Sequence, residues 1–401
     1  MTVKNVVIVG GGASGLMAGI LLADGGAKVT ILEANENPGR KLLATGNGRC
    51  NLTNRKRKPG DLRGEDPDFN NRVLDRFTVD DTLAFFHGIG LATLDRDGWV
   101  YPITGQAKTV LELLMLKAAE EKVKIKTREK VIRIEKNRNM DGFTVFTESW
   151  HYTCDNVIVA CGSPASAVRG SSGDAVRFAR SFDIDTKAFE PALVPLRIKE
   201  NYGRKWSGTR LKASIQILSD GKEIASESGE VQLTDRGISG IPVMQVSRYA
   251  LESAKRGALT AAVMDFLPDI DEKDLQSELN KRQASFPERS QKQLLIGLLP
   301  DRLIDVLADR AKSGSPIAHL IKNFSVVILP DASFEMAQVC SGGILTRELT
   351  EDMEARKVPG LYFTGEAVDS DGTCGGYNLQ WAWSTAALAA AGILKISTYY
   401  S

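Results

Sequence analysis

Six residues near the start of the chain, Gly10-Gly11-Gly12-Ala13-Ser14-Gly15, place glycines in a G-x-G-x-x-G spacing. Each glycine of such a turn has its own task. Gly10 makes the tight turn, Gly12 lets the backbone approach a diphosphate, and Gly15 lets a helix pack close against a strand. The N–H groups that open the helix, Ala13 and Ser14 among them, then face an anion with the positive end of the helix dipole behind them. Glu33 follows Gly10 by 23 residues, with Ala34 beside it, where an acid accepts hydrogen bonds from a ribose diol. Together these residues predict a bound dinucleotide.

FAD and NAD share that fingerprint, and a second element separates them. Gly360-Leu361-Tyr362-Phe363-Thr364-Gly365-Glu366 reads as a late strand ending in a glycine and an acid. FAD enzymes use such an element along the ribityl and diphosphate, and a nicotinamide dehydrogenase has no need of it. Gly375-Gly376-Tyr377-Asn378 then opens a final helix whose positive end suits negative charge on a reduced flavin ring. A second fingerprint for NAD(P)H is missing: the nearest candidate, Gly170-Ser171-Ser172-Gly173, has the wrong spacing. Candidates for catalysis are few. Arg49 and Tyr377 are an anion holder and a proton donor, and Cys50 and Cys374 are thiols in glycine-rich segments. His87, His151 and His319 are scattered without metal-ligand spacing, so no metal is expected.

The elements that position these residues follow from periodicity. Val6-Val7-Ile8-Val9 is a continuous apolar run rich in β-branched residues, the texture of a strand buried on both faces of a parallel sheet. Leu16, Met17, Ile20 and Leu21 recur at helical spacing until Gly25-Gly26, and Val29-Thr30-Ile31-Leu32 is a second strand, completing a βαβ unit. Val131-Ile132-Arg133-Ile134 and Phe143-Thr144-Val145-Phe146 alternate like half-exposed strands, and Val157-Ile158-Val159-Ala160 returns to the buried type. Between 191 and 329 the texture changes to an alternating run around Asp220-Gly221 followed by helical stretches. The expectation is an α/β protein. Its dinucleotide domain, residues 1–190 and 330–401, is interrupted by an inserted substrate or cap domain over 191–329.

Composition bounds the partners. The 401 residues carry 51 basic and 50 acidic side chains, a net charge of +1, so no global field draws the chain to nucleic acid or an acidic membrane. The run Arg55-Lys56-Arg57-Lys58, followed by Pro59-Gly60, reads as a solvated loop. Five cysteines without a C-x-x-C pair argue against a disulfide framework or zinc ribbon and for a reducing compartment. The chain enters its first apolar strand with no leader-like segment, and its longest apolar stretch, Trp381 to Leu394, is broken by Ser384, Thr385 and Gly392. A cytoplasmic protein without membrane contact is expected.

Longer motifs carry a resemblance. Gly39-Arg40-Lys41, Thr45-Gly46-Asn47-Gly48-Arg49-Cys50-Asn51-Leu52-Thr53-Asn54, Gly98-Trp99-Val100-Tyr101-Pro102, Gly237-Ile238-Ser239-Gly240 and Gly375-Gly376-Tyr377-Asn378-Leu379-Gln380-Trp381 resemble the BaiN/YhiN-type FAD-binding oxidoreductases of bacteria. That family includes aminoacetone oxidase-like proteins, and the resemblance spans nearly the whole chain. It implies a Rossmann-like FAD/NAD(P)-binding domain interrupted by an insert of β-barrel and helices. It also implies roles: Gly10, Gly12, Ala13, Ser14 and Gly15 at the diphosphate, Glu33 and Ala34 at the adenosine ribose, Arg40 and Lys41 at the phosphates nearby. Val131 would meet the adenine through its backbone, and Ala160 and Gly162 would line the dinucleotide. Gly46, Gly48, Arg49, Cys50 and Asn51 would run close to the flavin, with Gly365, Glu366, Gly376, Asn378 and Leu379 on its other side. One departure is visible: Asp235 and Ile241 stand where relatives carry His and Pro, which puts a histidine-based proton role there in doubt.

The implied function is an FAD-dependent oxidoreductase that moves a hydride between non-covalently held FAD and a small organic substrate. Its second redox partner is NAD(P)H, as a transient co-substrate, or oxygen. Reductase and amine-type oxidase both remain open, as does the oligomeric state. The alternative is a flavoprotein that binds or modifies RNA, motivated by Arg55 to Lys58 and by Arg204, Lys205, Arg210 and Lys212.

Overall fold

The computed structural model of the protein describes residues 3–137, 141–166 and 171–396; Gly170 of the weak second fingerprint lies outside the described residues. The chain divides into two compact units, one of Met1–Glu190 with Gln338–Ser401 and one of Pro191–Ala337.

The first unit is built on a five-stranded sheet in the order Leu361–Phe363, Asn156–Val159, β1 (Asn5–Val9), β2 (Lys28–Glu33), Lys124–Thr127. Every pair in it is parallel. A parallel sheet needs cover on both faces, which is why β1 and Asn156–Val159 read as unbroken apolar runs: Val6, Ile8, Val157, Ile158 and Val159 are all fully buried. The helix α1 (Ala13–Asp24) connects β1 to β2, and it packs against the closing helix Tyr377–Leu394. From β1 the chain builds first toward β2 and Lys124–Thr127, then returns to the other side of β1 with Asn156–Val159. The carboxyl end of β1 is therefore the point where strand order reverses, the place where open α/β sheets hold their ligands. A separate antiparallel sheet of Val131–Lys136, Phe143–Thr147 and His151–Cys154 follows the edge strand.

The second unit is a six-stranded antiparallel sheet in the order Leu196–Arg197, Gly237–Ser239, Lys222–Leu233, Arg210–Ser219, Thr260–Asp265, Phe324–Val327. Its two ends meet through an antiparallel bridge between Ile198 and Ile328 and a Lys199 N–H donating to the Val327 carbonyl at 2.9 Å, so the sheet closes on itself. Asp220 and Gly221 join the longest pair of strands with positive φ at both residues (48° and 81°), the geometry that matches the right-handed twist of a hairpin. Trp206, Phe266 and Phe324 are fully buried in this unit, whose helices include Ile241–Lys255, Glu272–Ser285 and Asp301–Ala311.

Candidate functional site

The turn after β1 is a close-packed glycine cradle. Gly10 donates to the Leu32 carbonyl at 2.8 Å and sits at φ 105°, and a Cβ there would lie 2.7 Å from the Ala160 carbonyl oxygen. At Gly15 a Cβ would come within 2.0 Å of the Gly10 carbonyl oxygen, which rules out any side chain. Gly12 is different in kind. Its φ is −82°, and a Cβ there would meet no atom of the described residues within 4 Å. Nothing in the protein requires a glycine at 12; the space beside it belongs to the cleft. Gly12 is also the N-cap of α1 and supplies no capping side chain, so the first-turn N–H groups are left for a ligand.

That cleft has about 1290 Å³ of atom-free space, counting the part open to solvent. Its walls include Gly10, Gly12, Ala13 and Ser14 from the turn, Glu33 and Ala34 from the end of β2, Arg40 and Lys41, and Val131 from the antiparallel sheet. Ala160, Gly162, Gly365, Glu366, Asn378 and Leu379 also line it. Gly15 lies behind the wall, against Gly10. Gly46, Gly48, Arg49, Cys50, Asn51 and Gly376, assigned by resemblance to the flavin side, are not on the cleft wall.

At the β2 end the carboxylate of Glu33 is buried and already oriented. One oxygen accepts from Gly11 N–H at 2.9 Å, and the other accepts from the backbone N–H and side-chain amide of Asn35, both at 2.8 Å. Arg40 in turn donates to Asn35 at 3.1 Å. Asn35 is missed by motif reading, although an Asn two residues beyond a strand-ending acid is a known way to hold a carboxylate through a local turn.

The closing helix positions the rest. It takes both backbone groups of Gly365: Thr385 Oγ1 accepts from its N–H at 2.9 Å and Trp381 Nε1 donates to its carbonyl at 3.0 Å. Trp383 Nε1 holds the Leu52 carbonyl at 3.0 Å, and Gln380 reaches Thr53 Oγ1 at 2.5 Å. The segment between is tightly wound, with positive φ at Gly46, Asn47, Gly48 and Cys50. It delivers Asn51 to a buried position where both side-chain polar atoms lack a partner among the described residues. The Oδ1 of Asn51 lies 2.9 Å from where a Gly376 Cβ would sit, at the N-cap of the closing helix, which has no side-chain cap. The start of α1, without a side-chain cap and beside the open space at Gly12, is a donor set that a dinucleotide's diphosphate would satisfy, whereas Asn51 and Gly376 stand off the cleft wall.

The residues proposed for catalysis are placed less suggestively. Burial pushes the Cys50 thiol up to about 12, against the lowering effect of a hydrogen bond with Thr45, so it stays protonated at neutral pH and is a poor nucleophile. Burial also raises Tyr377, with the Asp61 charge adding to the effect, and its hydroxyl donates to the Lys56 carbonyl at 2.5 Å. Arg49 is exposed and Cys374 half-buried. The Asn378 side chain is oriented by the backbone of Gly372, accepting from its N–H at 2.7 Å and donating to its carbonyl at 3.0 Å, which leaves one amide N–H and one carbonyl lone pair besides its backbone.

Among the described residues no cluster of His, Cys, Asp or Glu has the geometry of a metal site, and no helix is long and apolar enough to cross a membrane. The basic run is laced with acids: Arg55 pairs with Asp80 and Asp95, Lys56 with Asp97 and Arg57 with Asp75. In the second unit Lys205 pairs with Asp309, Arg210 with Glu230 and Lys212 with Asp269.

Comparison with known proteins places these features in context. A family model described as the HI0933-like protein Rossmann domain matches residues 4–392. The 3-dehydro-bile acid delta(4,6)-reductase of Clostridium scindens is 39% identical over 409 residues, which span 96% of this chain and 98% of that one. The ribosomal RNA dihydrouridine synthase of Escherichia coli is 29% identical over 95% of this chain and 96% of its own. Among solved structures, the 3-ketosteroid delta1-dehydrogenase of Sterolibacterium denitrificans superimposes with a TM-score of 0.54 at 11% identity, over 98% of this chain and 100% of that one. That last likeness is one of fold alone.

Proposed function

The chain belongs to the HI0933-like Rossmann-domain family and is an FAD-dependent oxidoreductase; from that premise we propose that it reduces a carbon–carbon double bond conjugated with a carbonyl group in a small, largely apolar organic molecule, drawing electrons from NADPH or NADH. The observation that carries this reading is the 39% identity to a reductase named for such a substrate, sustained over 96% of this chain and 98% of the relative. FAD, when bound, supplies a two-electron carrier whose ring nitrogen N5 accepts and passes on a hydride.

The protein's own part is binding, orientation and electrostatics. The backbone N–H groups that open α1 bind the diphosphate, with Gly12 leaving room for it and Gly10 and Gly15 fixing the turn. Glu33, held by Gly11 and Asn35, keeps lone pairs for the adenosine ribose, since a carboxylate has about four acceptor positions and three are in use. Val131 and Arg40 would meet the adenosine, and Ala160, Gly162 and Leu379 would line the dinucleotide; all five are on the cleft wall. Asn378 and Leu379, the residues of the closing helix's first turn that reach the cleft wall, would turn backbone N–H groups toward a polar ring edge, where they would favour added negative charge.

An RNA substrate is the second reading, and the name of the Escherichia coli relative favours it. The acid partners of the basic run and of Lys205, Arg210 and Lys212 weigh against it, because they cancel the field that RNA binding draws on. The visible spectrum of the anaerobic protein tests both. NADPH or NADH is expected to bleach a bound flavin, and a steroid-like 4,6-dien-3-one to restore the colour. Protein that never holds flavin overturns the reading, and a flavin re-oxidised only in the presence of RNA, in a salt-sensitive manner, replaces it with the second.

A further inference from the structure

Within the segment 364–371, the side-chain oxygens Thr364 Oγ1, Asp369 Oδ2 and Ser370 Oγ are buried and have no hydrogen-bond partner among the described residues. Ser370 alone of these three residues lines the cleft. It is 2% exposed. Its backbone is fixed, with its N–H donating to the Val368 carbonyl at 2.7 Å and the residue paired with Gly64 across a two-stranded ribbon. The neighbouring Asp369 is pinned as well, its N–H on the Ile344 carbonyl at 2.8 Å and its Oδ1 on Gly342 N–H at 2.9 Å. The Ser370 hydroxyl can rotate but cannot leave, and a buried hydroxyl costs free energy unless something in the cleft meets it.

The same wall carries Glu366, the acid that motif reading puts on the cofactor. Both of its oxygens are already engaged by protein donors: Oε2 by the Lys41 ammonium and Oε1 by Cys340 N–H at 2.9 Å. Each Glu366 oxygen already has one protein donor, which orients the acid, whereas the neutral hydroxyl four residues on has none among the described residues. We propose that Ser370 is a cofactor-binding residue of this chain, its hydroxyl hydrogen-bonding the ribityl hydroxyls of FAD, while Glu366 serves mainly to anchor Lys41 and the Cys340 backbone. A serine hydroxyl both donates and accepts, which suits a polyol. The diphosphate is served instead by the N–H groups that open α1.

The inference rests on the placement of FAD in this cleft, and binding measured on protein freed of flavin keeps the two apart. FAD, riboflavin and ADP are titrated into the native protein, Ser370→Ala and Ser370→Cys, with melting temperatures of the flavin-free forms alongside. Ser370→Ala is expected to weaken FAD and riboflavin by about 5- to 10-fold, the size of one neutral hydrogen bond, with ADP affinity and melting temperature unchanged. Ser370→Cys, close to serine in size and a poorer donor, shifts the same way and serves where the alanine variant does not fold. Unchanged FAD affinity in the variants overturns the role of Ser370 and leaves the cofactor site standing. A loss shared by ADP, or seen for ADP and not riboflavin, overturns the ribityl assignment. Native protein that binds neither FAD nor ADP overturns the placement itself.

Discussion

The ammonium of Lys41 and the carboxylate of Glu366, 325 residues apart in the chain, form an ion pair on the wall of the dinucleotide cleft. Lys41 follows the first glycine fingerprint and Glu366 ends the second, so one contact joins the two elements that sequence marks separately. Their side chains are only 26% and 18% exposed, which shields the pair from the screening that makes surface ion pairs nearly worthless.

Lys41→Met keeps the length of the side chain and removes its charge. It leaves the Glu366 carboxylate with the Cys340 N–H as its remaining protein donor. The flavin-free protein is expected to lose about 1–2 kcal/mol in urea unfolding, between the value of an exposed pair and the cost of stranding a buried charge. An unfolding midpoint equal to that of the native protein refutes the pair as a stabilising contact.

Gly12 and Gly15 separate binding from folding within one turn. Gly12→Ala adds a methyl group where no atom of the described residues lies within 4 Å and where φ is ordinary. Stability is expected to change by less than about 1 kcal/mol, while FAD affinity falls at least tenfold because the methyl stands where the diphosphate passes. Gly15→Ala puts its methyl 2.0 Å from the Gly10 carbonyl oxygen and is expected to cost about 3 kcal/mol or more, through overpacking against backbone that cannot yield. Equal melting temperatures for the two variants contradict this division of labour.

Gln380 is the knot between the closing helix and the segment it positions. Its carbonyl accepts from Thr53 Oγ1 at 2.5 Å, and its two amide hydrogens are directed at Thr82 Oγ1 and Ser384 Oγ, both at 2.9 Å, with the Thr78 carbonyl 3.2 Å away. Gln380→Leu matches the volume and strands several buried polar groups, so a loss of about 3 kcal/mol is expected from thermal or urea unfolding. Gln380→Glu keeps the acceptor and is expected to lose less at low pH, where a protonated acid can donate as well. A leucine variant as stable as the native protein shows the network to be dispensable.

Gln380 also shows where sequence reading stops. The glycine cradle was legible because its demands are local: a strand, a tight turn and a helix start leave a spacing that physics prescribes. The buried strands of the parallel sheet were legible as apolar runs for the same reason. The edge strand Lys124–Thr127, with two lysines in four residues and three of the four exposed, has no such signature, because an edge needs no second apolar face. Gln380 takes its role from partners about three hundred residues away, and Ser370 reaches the cleft wall by pairing with Gly64 across the ribbon; no periodicity encodes either. The cleft walls drew on both kinds of residue: Gly12 and Glu33 carry a spacing, whereas Asn35 and Ser370 become visible only once the turn and the ribbon are folded.

The buried thiols bind stability to pH at the alkaline end. Burial pushes the enclosed Cys50, Cys154 and Cys340, and Cys161, half-buried on the cleft wall, from 9.0 up to about 12. The unfolded chain releases these protons near pH 9 while the folded chain keeps them to about pH 12, so in that window the unfolded state binds fewer protons and stability falls as pH rises. Below pH 9 both states are protonated and the thiols contribute no pH dependence. Each thiol adds a slope of about 1.4 kcal/mol per pH unit, and the raised hydroxyls of Tyr362 and Tyr377 act in the same direction. Urea midpoints between pH 8 and 10.5 are expected to be level at first and then to drop steeply. Cys340→Ala isolates one thiol's share, flattening the drop by about a unit slope while leaving the pH 8 value lower by the cost of a small cavity. Midpoints that stay level to pH 10.5, or a native protein whose buried thiols are all labelled within minutes at pH 8, contradict the burial on which the prediction stands.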